Sequence, residues 1–146
     1  MLSKTCEYAI RALIYVAQQT KNGSRIGVKE IAFGIDSPEH FIGKILQEMK
    51  RQNLLQSSKG PTGGFYLDEY DLHNSLATIV RVFDGNKIFT SCALGLKQCS
   101  EKNPCPLHNQ FKEIRNSISK LLETTTIKEL VEKLDSNEVF LKLIIN

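Results

Sequence analysis

The sequence predicts a mainly α-helical chain that carries one small β-hairpin. Two observations lead there. Apolar residues recur three and four positions apart through most of the chain. The stretch Leu54–Leu67 departs from that pattern, with two short strand-like runs around a turn rich in glycine and proline. A third observation separates the chain from a plain helical domain: Cys92, Cys99, Cys105 and His108 crowd together as C-x6-C-x5-C-x2-H.

The first element is a helix over residues 3–19. Cys6, Ala9, Ile10, Leu13, Val16 and Ala17 form one apolar stripe, and Tyr8, Ala12 and Tyr15 form a second beside it. Little polar face remains, so most of this helix is expected to be buried. Lys4, Glu7 and Arg11 share what is left, and Glu7 is placed to pair with Arg11 at i,i+4. Cys6 falls on the apolar stripe and reads as a small buried hydrophobe.

VKEIAFG makes a short helix ending at Gly34, where a tight turn is expected. SPEHFIGKILQEMKRQN follows as a second helix, with Ser37 as a suitable N-cap and Pro38 at the first helical position. Phe41, Ile45 and Met49 line its inner side with Ile42 and Leu46, leaving His40, Lys44, Gln47, Lys50 and Arg51 outside. Two helices joined by a tight turn, the second with a basic outer face, make a helix-turn-helix. Leu54–Ser58 and Phe65–Leu67 then read as strands, and Lys59–Gly64 as the turn between them. A hairpin in that position makes the motif a winged helix-turn-helix.

SLATIVRVFDG reads as a helix capped by Ser75 and closed near Gly85. Beyond the cysteine-rich stretch, a longer helix spans residues 106–123. Leu107, Phe111, Ile114, Ile118 and Leu121 are spaced 4, 3, 4 and 3 along it, a seam of two heptads that needs a partner surface. A homodimer is the favoured partner, with this as its long dimerisation helix. Thr125 or Thr126 caps a last helix, IKELVEKL, and the apolar segment NEVFLKLIIN must pack somewhere. The expected organisation is a DNA-binding part over residues 1–85, a cysteine-rich loop over 86–108, and a dimerisation and C-terminal part over 106–146.

The bulk properties narrow the function. With 146 residues, 41% of them hydrophobic, the chain can bury the core of one domain. No apolar run reaches the length of a membrane span. The charges among the first residues do not suit a secretory signal, so a cytoplasmic protein is expected. In that reducing setting cysteines serve more often as metal or redox groups than as disulfides. Residues 1–60 hold nine Lys and Arg against five Asp and Glu, whereas residues 61–146 hold ten against eleven. A basic N-terminal part suits nucleic acid. No nucleophile–base pair, phosphate-cradling loop or acid–base carboxylate pair points to an enzyme.

The motifs CEYAIRALIYVA, FIGKILQEMKRQNLLQSSKGPTGGFYL and SLATIVRVFDG, followed by three cysteines, resemble the Rrf-two family of bacterial winged-helix transcriptional regulators, the IscR/NsrR-like proteins. The resemblance implies dimers that bind palindromic promoter DNA. It also implies an iron–sulfur cluster held by three cysteines in the loop before the long helix. Cys105-Pro-Leu-His108 matches the branch in which a histidine completes the set, so Cys92, Cys99, Cys105 and His108 become the expected ligands, with Glu7 a less favoured fourth. The cluster expected is 2Fe–2S, one that purification can strip away. Zinc and metal-free redox thiols are the competing chemistries. Two departures stand out: the family usually has arginine where this wing has Lys59, and five residues where the first cysteine gap here has six.

The expected DNA contacts come from the second helix of the motif, the wing and the first helix. Glu39 and His40, near the start of the recognition helix, are placed for base edges. Lys44, Lys50, Arg51 and Lys59 suit phosphates. Gln47, Ser58 and Thr62 lie within reach, and Lys4 and Arg11 are further candidates on the first helix.

Overall fold

The computed structural model describes residues 1–142; Leu143–Asn146, the end of the apolar tail noted above, lie outside the described residues. Eight helices and one hairpin follow in order: α1 (Lys4–Gln19), α2 (Val28–Gly34), α3 (Glu39–Arg51), β1 (Gln56–Ser58), β2 (Gly64–Tyr66), α4 (Glu69–Leu72), α5 (Leu76–Asp84), α6 (Lys87–Thr90), α7 (His108–Thr124) and α8 (Ile127–Asp135). None among the described residues is long and apolar enough to cross a membrane.

Helix α1 is the centre of the body. Ser3 caps it by accepting from the Cys6 N–H, and Cys6, Ala9, Ala12, Leu13, Ile14, Val16 and Ala17 are buried along it. Helices α2, α3, α5 and α8 pack around this helix. Burial on more than one side is what the two adjoining apolar stripes require. The last helix thus returns to the first, and Ile127 and Val131 join the same core as Leu13, Ile31, Ile42 and Leu46.

Helix α2 ends at Gly34 as expected, and the turn into α3 follows it. The left-handed residue is Asp36, at φ 58°, and not Gly34. Gly34 serves packing instead: a Cβ there would fall 2.1 Å from the Tyr15 ring. The cap also moves by one residue. Pro38 is extended at ψ 133° and occupies the N-cap, so Ser37 does not cap the helix, and its buried hydroxyl has no hydrogen-bond partner. Proline's missing N–H is no loss at this end of a helix, which leaves the boundary free to slip.

The hairpin pairs Gln56 with Tyr66, Ser57 with Phe65 and Ser58 with Gly64. A single bridge from Ile26 to Phe65 ties it to the segment before α2. Gly64 makes that approach possible, for it sits at φ +143° with the Ile26 carbonyl oxygen 2.7 Å from where a Cβ would be.

Helices α4 and α6 have no counterpart in the sequence reading. Each is four residues long, too short for an apolar period to show. Helix α5 begins at Ser75 as expected, and Thr126 is the cap of α8. The two starts are stitched together: Leu76 N–H donates to the Thr125 carbonyl at 2.9 Å and Ile127 N–H to the Asn74 carbonyl at 3.2 Å. Helix α7 begins at His108, two residues later than expected, and packs against α5 and α6.

Candidate metal centre and nucleic-acid interface

Between α6 and α7 the chain folds as a run of tight turns. Gly95 N–H donates to the Cys92 carbonyl, Cys99 N–H to Leu96, and Asn103 and Ser100 bond one another; His108 N–H closes the last turn on the Cys105 carbonyl at 3.0 Å. Every cysteine therefore opens or ends a turn. The C-x2-H spacing is one of these turns, which sets the imidazole of the first α7 residue beside the thiols.

The three cysteines converge, and His108 reaches one of them. The Cys92, Cys99 and Cys105 sulfurs lie within 4.8 Å of one another. Cys92 Sγ is 3.6 Å from Cys105 Sγ, and Cys99 Sγ is 3.2 Å from His108 Nδ1. Glu7 is not in this group. Its carboxylate lies 3.8 Å from Lys4 Nζ, and Arg11, its expected partner, turns elsewhere. The fourth cysteine, Cys6, is fully buried, and burial first, then the charge of Asp84, pushes its thiol up to about 12.

The surroundings tune the three thiols unequally. Backbone N–H groups of Leu96 and Leu94 and the neighbouring sulfurs bring Cys92 down to about 7, against the desolvation that raises it. For Cys99 the Cys105 N–H works downward, but desolvation and the two adjacent thiols outweigh it and the group is raised. N–H groups aimed at sulfur are the environment a metal-bound thiolate needs. His108 is 8% exposed, and its Nε2 lies 3.4 Å from Glu101 Oε1 without the alignment of a hydrogen bond. Glu101 is paired with Lys112, which, ahead of His108, holds its carboxyl below the usual range. Arg115 fastens the start of the loop by donating to the Ser91 carbonyl at 3.1 Å.

The donor set fits a metal centre. Metal–sulfur bonds of about 2.3 Å put two thiolates on one tetrahedral ion about 3.8 Å apart. The Cys92–Cys105 and Cys99–His108 separations are of that order, and with the three sulfurs all near one another the donors make a compact set.

Away from the thiols, the exposed face of α3 carries His40, Lys44, Gln47, Lys50 and Arg51 around a shallow open groove. Glu39 is exposed at the start of the helix, and Ser58, Lys59 and Thr62 are exposed on the hairpin. Arg51 is paired with Glu48 on the same helix. Lys4 is exposed. Arg11 is half-buried, its guanidinium over the Tyr8 ring and its Nη1 3.4 Å from the Ile35 carbonyl. It braces the α2–α3 turn, a task the helical spacing gave no sign of.

Sequence reasoning missed Glu101, Lys112 and Arg115 around the thiols, and also Arg25, whose guanidinium stacks 3.5 Å from the Tyr66 ring centre. Arg25 reaches the hairpin only through the Ile26–Phe65 bridge, a pairing with no local signal. On α7, Leu107, Ile114 and Leu121 are exposed, Phe111 is half-buried, and Ile118 packs inward beside Leu122. An apolar stripe therefore remains open to solvent.

The family model Rrf2, described as an iron-dependent transcriptional regulator, matches residues 2–133. A protein of Aquifex aeolicus described as an HTH-type transcriptional regulator is 32% identical over 133 residues, covering 90% of this chain and 91% of its own. The HTH-type transcriptional regulator IscR of Yersinia pseudotuberculosis is 24% identical over 138 residues, covering 94% of this chain and 83% of its own. The structure of CymR, the global cysteine regulator of B. subtilis, superposes with a TM-score of 0.75 at 22% identity, over 90% of this chain and 96% of that one, and shares the fold.

Proposed function

The chain belongs to the Rrf2 family of transcriptional regulators, and from that membership we propose a homodimeric promoter-binding regulator controlled by a metal centre on Cys92, Cys99, Cys105 and His108. The family is one of DNA-binding regulators and not of enzymes. The observation that carries the reading is the convergence of three thiols and one imidazole nitrogen at the junction of α6 and α7.

In this reading residues 1–85 bind DNA, 86–108 sense, and 106–146 dimerise through Leu107, Phe111, Ile114 and Leu121, while Ile118, expected in the same seam, packs into the chain's own core. A 2Fe–2S cluster bound there would supply a one-electron redox centre. The chain's own part is mechanical. Cys92 follows α6 and His108 begins α7, so holding both ends fixes the loop and sets α7 against α5. The seam on α7 then fixes the spacing of the two recognition helices in a dimer. Glu39, His40 and Gln47 read base edges. Lys44, Lys50, Arg51 and Lys59 hold phosphates, with Ser58, Thr62 and Lys4 at the margin. Lys59 acts as a point charge, without the paired contact an arginine makes.

One observation favours a second reading of the same centre. The three sulfurs are close enough together to surround a single ion, and Cys3His is a good tetrahedral zinc set. Anaerobic purification followed by iron, sulfide and zinc analysis and a visible spectrum decides between them. Iron and sulfide in equal amounts with a coloured protein support the cluster. One zinc per chain in a colourless protein selects the second reading. No metal, with DNA affinity unchanged in Cys92→Ala, Cys99→Ala and Cys105→Ala, leaves a metal-free repressor with thiol sensing or none. The DNA role has its own check: Lys44→Ala should lower the slope of log affinity against log salt by about 1, equally across sequences.

A further inference from the structure

We infer that Glu101, held by Lys112, is the positioning residue of the metal centre: it takes the Nε2–H of His108 so that Nδ1 is left free to bind metal. This rests on the reading of the cysteines as a metal site and names how its fourth ligand is aimed.

The geometry is asymmetric about the imidazole ring. Nδ1 faces the thiols, 3.2 Å from Cys99 Sγ, whereas Nε2 faces away, 3.4 Å from Glu101 Oε1. His108 is 8% exposed and Nε2 is buried, with no hydrogen bond completed in this arrangement. A buried ring nitrogen without a partner is costly, and the Glu101 carboxylate is the acceptor in reach. A rotation of the exposed Glu101 side chain completes the contact. Lys112 Nζ pairs with the same carboxylate oxygen from one turn further along α7. The lysine therefore keeps the carboxylate charged and beside the ring.

A neutral imidazole carries one proton on either nitrogen, and the hydrogen bond made by one decides which lone pair the other offers. With the proton on Nε2 and aimed at a carboxylate, Nδ1 is the stronger donor, the arrangement that fixes ring orientation at metal sites. The reduced thiol of Cys99 accommodates the same tautomer in the metal-free chain, its S–H donating to Nδ1.

Two measurements test this on the full chain. In the reduced, metal-free protein, ring nitrogen NMR should find His108 mainly as the Nε2–H form, and Glu101→Ala should shift it toward an even mixture. In protein loaded anaerobically with iron and sulfide, or with zinc, metal loss to a chelator should be about 10-fold faster in Glu101→Ala. Lys112→Met should show the same effect more weakly, and Glu101→Gln, whose amide oxygen still accepts, should be close to wild type. An unchanged tautomer together with unchanged chelation in Glu101→Ala overturns the inference. Wild-type protein that takes up no metal overturns the reading of the cysteines, while the tautomer measurement still decides the Glu101 contact.

Discussion

The body around α1 and the loop between α6 and α7 hold their shape by opposite means. In the body, Leu13, Ile31, Ile42, Leu46 and Ile79 are buried and each position is over-determined by apolar contacts. In the loop, Leu94 and Leu96 are half exposed and most residues from Ala93 to Pro106 face solvent. Its order comes from a few turns, one arginine contact and a knot of thiols. A packed body keeps its shape in every condition that keeps it folded. A loop organised by its ligands can change with what binds them, which is why the proposed sensing role falls to the less packed region.

The contrast can be broken most directly by truncation. Leu46→Ala, in the body, should cost about 2–5 kcal/mol in urea unfolding of the metal-free protein. Leu96→Ala, in the loop, should stay within about 0.5 kcal/mol. Equal losses would show that the loop is part of the same cooperative core. Gly64→Ala comes next, at about 1–3 kcal/mol, because alanine must adopt φ +143° against the Ile26 carbonyl; an unchanged urea midpoint would mean that the hairpin can detach from Ile26 at no cost. Ser75→Ala removes the α5 cap, which accepts from the Thr78 N–H, and should cost about 1 kcal/mol.

The smallest effect on stability sharpens the loop itself. In the metal-free protein, alkylation of Cys92 should rise with pH around a midpoint near 7, while Cys99 reacts only at higher pH and Cys6 stays protected in the folded state. The sign for stability follows. Folding lowers the Cys92 value, so its contribution is complete above the ordinary thiol range and is lost as the pH falls through about 7. Mass spectrometry of labelled peptides reads the order of reaction, and Cys99 labelling ahead of Cys92 would contradict it.

The same contrast explains what could be read in advance. The helices of the body were legible because burial imposes a period, and Leu13, Ile45 and Met49 fall where that period puts them. Caps at Ser75 and Thr126 were legible because hydroxyl side chains at helix starts have a local reason. The end of α2 at Gly34 was legible, but its backbone detail was not: Gly34 makes room for Tyr15, and Asp36 takes the left-handed conformation. Arg11 was assigned to Glu7 by helical spacing, but a carbonyl from another element holds it. In the loop, the four metal-binding candidates stood out by residue type and spacing. Which ring nitrogen His108 presents, and the Glu101 contact behind it, depend on how successive turns fold back, and no periodicity encodes that.

The stitch between Thr125 and Leu76 has a consequence for motion. It pins the C-terminal end of α7 to the body, and Arg81 reinforces it by pairing with Glu123 at 2.5 Å. The seventeen residues of α7 make a rod about 25 Å long. The stitch holds one end of this rod, α6 and the Arg115–Ser91 contact hold the other, and His108 sits at the end farther from the stitch. A swing of about 5° about the stitch would move that far end by about 2 Å. In the proposed regulator, a rearrangement of the thiol loop that released this end from α6 would turn the exposed stripe of α7 about the stitch.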